Sequence, residues 1–302
     1  MAVNNLLAII ILNYNDYETT IKCVNQLLRI GIEYQIVVID NFSKNESYQV
    51  LKEKYSSVSG IVVKRTEKNG GYSYGNNQGI LAAQEITDFK YYCIMNPDVI
   101  IESNYFEELC HCLSKMPEYA VISPLMLYPD KLDLTKISCN LRTSKEIYKH
   151  HLLLNKQANI TYKSRYKYIG NSLIEAEAVP GSCFIIDAKI LCEIGLFDDK
   201  CFLYNEESIL AIKLKRIEKK YLISLKHNFI HNHNYEIPRK EVWGNYKDNF
   251  DKVFRDYRIT YDSRKYLCEA YYDGEYLFRL KLVNIINIFL LYLKHIIAKT
   301  FH

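Results

Sequence analysis

Asp98 closes an aromatic and aliphatic run, Tyr91-Tyr92-Cys93-Ile94-Met95-Asn96-Pro97-Asp98, that reads as a buried strand stopped by proline. Pro97 lacks an N–H and fixes its own φ, so ladder pairing ends there and Asp98 stands at the carboxyl end of the strand. In open α/β sheets ligands bind at that edge, and packing explains a carboxylate there poorly. A turn aspartate capping a helix that begins near Ser103 is the structural alternative. Two earlier strands end in the same way. Asn13 and Asn15 follow Leu6–Leu12, and Asp40 and Asn41 close Gln35–Asp40. Polar groups at three strand ends on one edge are what a nucleotide site needs. Further on, Glu206 and Glu207 open a helix with apolar residues Ile209, Leu210, Leu214 and Ile217, and Asn205 suits its N-cap. The helix dipole alone stabilises acids in that position. His231 and His233 share one face of an extended segment, a spacing that allows metal binding, although most such histidines are structural.

The elements that position these residues follow from periodicity. Asp16 is a reasonable N-cap for a helix carrying Ile21, Val24, Leu27 and Leu28. A helix near Ser47–Tyr55, a strand at Gly60–Lys64, a glycine-rich turn from Asn69 to Asn77 and a helix over Asn77–Glu85 come next. Later strands are expected at Ala178–Ile186 and Tyr221–Leu225. Strands alternating with helices predict an α/β fold: a mostly parallel, Rossmann-like central sheet with helices on both faces. The glycine turn is neither a dinucleotide fingerprint nor a Walker loop, because G-x-G-x-x-G and Gly-Lys-Ser/Thr are both missing. Glycines before a helix N-terminus still favour close approach by a phosphate or sugar, and a plain β-α turn is the alternative.

Composition sets the broad class. The chain has 302 residues, 49% hydrophobic and 25% charged, as in an ordinary soluble globular protein with one large or two modest domains. A net charge of +4 gives no case for nucleic acid. Nine cysteines without paired metal spacing read as reduced cytosolic thiols. Leu6–Leu12 has no preceding positive charge and no small-residue cleavage site, so it reads as a first strand. Between residues 131 and 167, nine Lys/Arg face Asp133 and Glu146, and nine minus two gives +7. That segment is a solvated loop, or it faces a phosphate-bearing acceptor or an anionic membrane surface. Near the C-terminus Leu282, Ile285, Ile286, Phe289, Leu290, Leu293, Ile296 and Ile297 share one helical face among Lys281, Lys294, His295 and Lys299. The stretch between Lys281 and Lys294 is shorter than the roughly 20 residues that span a bilayer. It fits an interfacial basic amphipathic helix, with packing on the core or on another subunit as the alternative.

In this order the motifs resemble the inverting family 2 glycosyltransferases of the GT-A fold, in particular rhamnosyltransferase-like bacterial enzymes of surface-polysaccharide synthesis. The resemblance rests on Asn13-Tyr14-Asn15, Val38 to Ser43, Asn69 to Asn77, Asn96-Pro97-Asp98, Pro180 to Phe184, Phe197-Asp198 through Glu206-Glu207, and His231. It covers about residues 6–235. It implies a catalytic domain over 1–235, with a nucleotide-binding half (1–100) and an acceptor half (101–235) that holds the basic segment 131–167. Residues 236–302 then form a helical, membrane-associating extension. By the same likeness Asp40 reads the nucleobase, Asn13, Asn15 and Asn41 line base and ribose, and Asn69, Tyr72, Asn76 and Asn77 hold the nucleotide-sugar. Asp98 and His231 bind a divalent cation, Mg2+ or Mn2+, on the diphosphate, and Glu207, with Glu206 before it, is the catalytic base.

Further expectations follow from the resemblance. The donor is dTDP-rhamnose, with a UDP-hexose or UDP-N-acetylhexosamine as the alternative. The acceptor is a lipid-linked or growing glycan in capsule, O-antigen or exopolysaccharide synthesis. The enzyme sits peripherally on the inner face of the plasma membrane, with a second copy of itself, as a homodimer, among the candidate partners. A non-catalytic nucleotide-sugar-binding subunit is the reading from another class. Asn96 stands where the family carries the first aspartate of D-x-D, and Glu207 replaces the commoner aspartate. The helix N-terminus is expected to lower the Glu207 pKa.

Overall fold

Alternating burial explains the central sheet. The computed structural model describes residues 4–129, 140–152, 165–232 and 246–301. His233, Trp243 and the basic residues Lys131, Lys136, Lys156 and Lys163 lie outside them. Within the first strand, β1 (Leu7–Asn13), Leu7, Ile9 and Ile11 enter one core cluster, and Ala8 and Ile10 enter another. A strand buried on both faces needs helices on both sides, which is the parallel-sheet arrangement.

The chain forms two compact units. Among the described residues the first draws on Met1–Leu141, Lys163–Asp199 and Glu206–Asn232, and the second on Arg142–Tyr162, Lys200–Asn205 and His233–His302. The first unit holds β1, α1 (Tyr17–Arg29), β2 (Gln35–Asp40), α2 (Ser47–Tyr55), β3 (Ile61–Arg65) and α3 (Tyr72–Gln84). It continues with β4 (Tyr91–Met95), β5 (Val99–Ile100), α4 (Phe106–Ser114) and β6 (Tyr119–Leu127). The second unit takes α5 (Ser144–His151). Back in the first are β7 (Tyr166–Gly170), β8 (Leu173–Ala176), β9 (Cys183–Asp187), α6 (Ala188–Glu193), α7 (Glu206–Arg216) and β10 (Lys220–His231). The helices α8 (Phe250–Tyr271) and α9 (Leu277–Phe301) belong to the second unit.

Sheet order is β3-β2-β1-β4-β9-β6-β10-β8-β7, with β5 paired to β10. The expected parallel character holds for β3-β2-β1-β4. Beyond that β9 runs antiparallel to both β4 and β6, so the whole sheet is mixed. Asp16 caps α1, accepting from the Thr19 N–H at 3.1 Å, as its place before the apolar repeat predicts. Asn205 does otherwise. It sits at φ 66° and donates its amide to Ser263 Oγ at 2.8 Å within the second unit.

In the second unit α9 is one continuous helix of 25 residues. Lys281 and Lys294 do not interrupt it, so the helix is longer than the charge-to-charge stretch suggests, and Leu277–Thr300 is long and apolar enough to cross a membrane. Leu280, Val283, Asn287, Leu291 and Ala298 are buried. Phe278, Ile285 and Phe289, by contrast, are at least 65% exposed.

A polar cluster ties this unit together. His151 has no exposed surface; its Nδ1 lies 3.1 Å from Arg264 Nη1 and its Nε2 3.2 Å from the Tyr257 hydroxyl. A guanidinium only donates, so Nδ1 accepts, Nε2–H faces the Tyr257 oxygen, and Tyr257 donates to Asn284 Oδ1 at 2.7 Å. Burial, with the Arg264 charge behind it, pushes the His151 pKa down to about 3. Below the unfolded-state value near 6.5 the unfolded chain therefore takes up a proton that the folded one refuses. Falling pH is expected to cost about 1.5–2 kcal/mol between pH 6.5 and 5. Denaturant unfolding of the full chain across that range should show the loss, and His151→Gln should flatten it.

Candidate active site

Asp40 organises the carboxyl edge of the parallel strands. Its carboxylate has no exposure, accepts from Asn13 Nδ2 at 2.8 Å and from the Ser43 N–H at 3.0 Å, and lies 3.4 Å from Arg65 Nε. A buried carboxylate needs such partners. Asn13 is likewise engaged, taking the Thr20 hydroxyl on Oδ1 at 2.9 Å. Asn15, at φ 57°, accepts from the Lys44 N–H at 2.8 Å. Arg65 donates to the Ser43 carbonyl at 2.7 Å and lies over the Phe42 ring, 4.9 Å from its centroid. Phe42 (44%) and Tyr14 (42%) are the exposed aromatic surface here.

The Asn69–Asn77 segment departs from a plain turn. Helix α3 begins at Tyr72, five residues before the expected Asn77, because Gly71 makes the turn at φ 90°. Gly75 and Gly79 then lie inside the helix. A Cβ on them would come within 2.4 Å of Leu12 and 2.3 Å of Ile10, so these glycines let α3 press against β1. Asn41 donates to Asn69 Oδ1 (3.1 Å) and to the Gly71 carbonyl (3.0 Å), shaping the loop before the helix. Asn77 exchanges two hydrogen bonds with the Phe197 backbone, at 2.9 and 3.0 Å. Asn76 donates to the Tyr72 carbonyl at 3.0 Å, and its buried Oδ1 accepts no hydrogen bond among the described residues.

The late residues join this edge through the sheet. Strand β10 pairs with β5, setting His231 opposite Val99, and His231 Nε2 lies 3.3 Å from Asp98 Oδ1. The two expected cation ligands are thus brought together, although no group of three or more His, Cys, Asp or Glu side chains converges among the described residues. Beside them the Asn96 N–H donates to the Ser182 carbonyl at 2.8 Å, which places Pro180-Gly181-Ser182 next to Asn96-Pro97-Asp98. Gly181 in turn meets Glu207, in the first turn of α7: its N–H donates to the carboxylate, and a Cβ there would stand 3.0 Å from Oε1. Tyr72, Phe184, Phe197, Leu210 and Tyr221 line the small pocket around Glu206 and Glu207. Burial raises the Glu207 pKa above the usual carboxylate range, against the opposing pull of its own N–H and that of Gly181. The expected lowering by the helix N-terminus is overturned, since desolvation outweighs those two donors.

Comparison with known sequences decides the family: residues 8–191, more than half of the chain, match the glycosyl transferase family 2 model. The chain belongs to glycosyl transferase family 2. A curated relative, the low-salt glycan biosynthesis hexosyltransferase Agl10 of Haloferax volcanii, is 27% identical over 211 residues. That match covers 70% of this chain and 62% of the relative. Among solved structures, GalNAc-T7 with UDP, GalNAc and Mn2+ superposes with a TM-score of 0.58 at 14% identity, covering 90% of this chain and 58% of the other. The likeness carries the fold, that of GT-A glycosyltransferases with a C-terminal helix added.

In this family 2 chain, sequence reading passed over Arg65, Gly181 as a partner of Glu207, and the reach of Tyr72. Arg65 ends β3, so the rule applied to β1, β2 and β4 would have found it had it been extended one strand. The Gly181 and Tyr72 contacts join distant segments, and nothing local announces them. Asn77 spends both ends of its amide on Phe197, so Asn77→Ala is expected to destabilise the first unit by about 1–3 kcal/mol. Thermal unfolding should show the drop, with nucleotide affinity at low temperature changed far less.

Proposed function

We propose that the chain is an inverting hexosyltransferase that carries a sugar from a nucleoside diphosphate donor to a lipid-linked or growing glycan. The observation that carries this reading is Glu207, held by Gly181 beside the Asn96–Asp98 strand end where His231 meets Asp98. It gathers a base and a diphosphate-facing pair on one sheet edge. Family membership and the hexosyltransferase named above support the activity, and the neighbour solved with UDP supports the class of donor. The favoured donor is dTDP-rhamnose, from the motif likeness, with a UDP-hexose or UDP-N-acetylhexosamine as the alternative.

An oxygen and an imidazole nitrogen 3.3 Å apart suit a divalent cation, and with these two as its protein ligands among the described residues it would leave the rest of its shell to the donor's diphosphate. Asp98 and His231 would hold Mn2+ or Mg2+, which supplies charge stabilisation for the departing diphosphate. The chain's own groups do the rest. The Asp40-centred loops present Tyr14 and Phe42 to the base, and α3 directs its amino-terminal N–H groups toward the phosphates. Glu207 takes the proton of the attacking hydroxyl, and its raised pKa makes it a stronger base than an ordinary carboxylate. A single inverting displacement needs no second carboxylate as nucleophile.

The reading extends to a membrane surface. Phe278, Leu282, Ile285, Ile286, Phe289 and Ile296 form an exposed apolar stripe on α9, a helix with Arg279, Lys281, Lys294 and Lys299 and no acidic residue. Buried Leu280, Leu291 and Ala298 leave the other face inside its own unit, so the helix would lie in the interface and not span it. Cations without carboxylates favour anionic lipid over a second copy of the same helix.

Calorimetry with dTDP, UDP and GDP, with and without Mn2+, should give micromolar binding of a pyrimidine diphosphate that deepens with the metal in the native chain and not in Asp98→Asn. Failure of every nucleotide to bind a folded sample would sink the reading. Glu207→Gln should lower kcat by at least about 100-fold with donor affinity kept. The acid limb of native activity should lie above the ordinary carboxylate range, because the base works only above its raised pKa. Sedimentation with anionic vesicles should fall several-fold when Ile285 and Phe289 are changed to Ser; equal pelleting would return α9 to a soluble role.

A further inference from the structure

We propose that Tyr72 is a positioning residue for Glu207: its phenol anchors the Gly181 carbonyl and thereby fixes the Gly181 N–H against the Glu207 carboxylate. This rests on the reading of Glu207 as the base. The motif likeness makes Tyr72 a contact to the nucleotide-sugar, and the geometry gives its hydroxyl different work. The Tyr72 O–H donates to the Gly181 carbonyl at 2.5 Å, joining the start of α3 to the segment before β9. A phenol has one proton to give, and this one is spent on the protein. Gly181 has no slack on its other side, where an added Cβ would reach Glu207 Oε1 at 3.0 Å. Three segments far apart in the chain therefore meet as α3, Gly181 and α7, and a shift of Gly181 reaches the carboxylate directly.

The surroundings keep Tyr72 a donor. Burial, then the negative potential of Glu207 and Glu206, holds its pKa well above the ordinary phenol value, so the hydroxyl stays protonated across the working range. The titratable groups lining the same pocket are Glu206 beside Glu207 on α7 and Tyr221 on β10, and Cys183 of β9 also acts on the phenol. Since Gly71 makes the turn into α3 and Asn69 accepts from the Gly71 N–H at 3.1 Å, the loop expected to hold the donor runs straight into the residue that seats the base. Donor loop and base are mechanically linked through one hydroxyl.

The test titrates the Glu207 carboxyl by infrared difference spectroscopy on the full chain, with Glu207→Gln as the blank, so no turnover is needed. In Tyr72→Phe the Gly181 N–H loses its anchor and favours the carboxylate less, and the Glu207 midpoint should move to higher pH. With a working donor and acceptor, kcat near neutral pH should fall about five- to tenfold, the worth of one hydrogen bond, while donor KM stays within about twofold. The acid limb of kcat should follow the spectroscopic midpoint upward. A folded Tyr72→Phe with an unmoved midpoint overturns the proposal. So does a raised donor KM at native kcat, which would make Tyr72 a donor contact. Should Tyr72→Phe fail to fold, Gly181→Ala crowds Oε1 with Tyr72 in place, and an unmoved midpoint there also overturns it. If Glu207→Gln still transfers sugar, the base assignment falls, yet a midpoint shift in Tyr72→Phe would keep the link between the two residues.

Discussion

The buried carboxylate of Asp40 is the constraint on which the edge of the sheet depends. A charge with no exposure must collect donors from the protein, and those it collects come from β1, from the loop after β2 and from β3. By drawing in Asn13, Ser43 and Arg65 it sets the three loops that frame the front of the site. Arg65 passes the order on, bonding the Ser43 carbonyl and covering Phe42. The exposed Phe42 ring is thus held from beneath by an ionic cluster, and one buried charge sets the geometry of the loop.

A second layer of control is steric. Helix α3 lies close to β1 because Gly75 and Gly79 present no side chain to Leu12 and Ile10. That approach fixes the height of the helix start, and with it Tyr72, above the sheet. Asn77 adds a polar clamp on Phe197, ahead of α7 in the chain. Glu207 is therefore held both by its own helix and by the sheet edge that carries Asp98, through Gly181 and Ser182.

Much of this was legible in the sequence, and the boundary is physical. Buried strands such as Gln35–Asp40 and the capped helix after Asp16 declare themselves by local pattern, and the α/β fold follows. Strand-end polarity pointed to the edge, and motif order singled out Asp98 and His231, which the fold sets 3.3 Å apart, and Glu207, which it sets against Gly181. Three of the departures mark that boundary. The start of α3 was misplaced because glycines that usually signal a turn serve here as packing surface. The dipole argument misses the protonation of Glu207 because it is local, whereas the pocket that desolvates the carboxylate is closed by Tyr72 of α3, Phe184 of β9 and Tyr221 of β10. The composition of the second unit, which gathers Arg142–Tyr162 and Lys200–Asn205 around the C-terminal helices, depends on contacts such as His151 with Arg264 that no window of sequence contains.

The pairing of β5 with β10 has a consequence for how the protein matures. Asp98 and His231 meet only because a two-residue strand finds the far end of a twelve-residue one in the correct register. A slip of one residue would turn His231 to the opposite face of the sheet. Contacts so distant along the chain close late in folding, after the local helices and the first parallel strands have formed. The amino-terminal half can thus acquire its shape before Asp98 and His231 have met. On the proposed reading of that pair as cation ligands, metal affinity would mark completed folding, and a mispaired chain would be silent to the ion however native its helices looked.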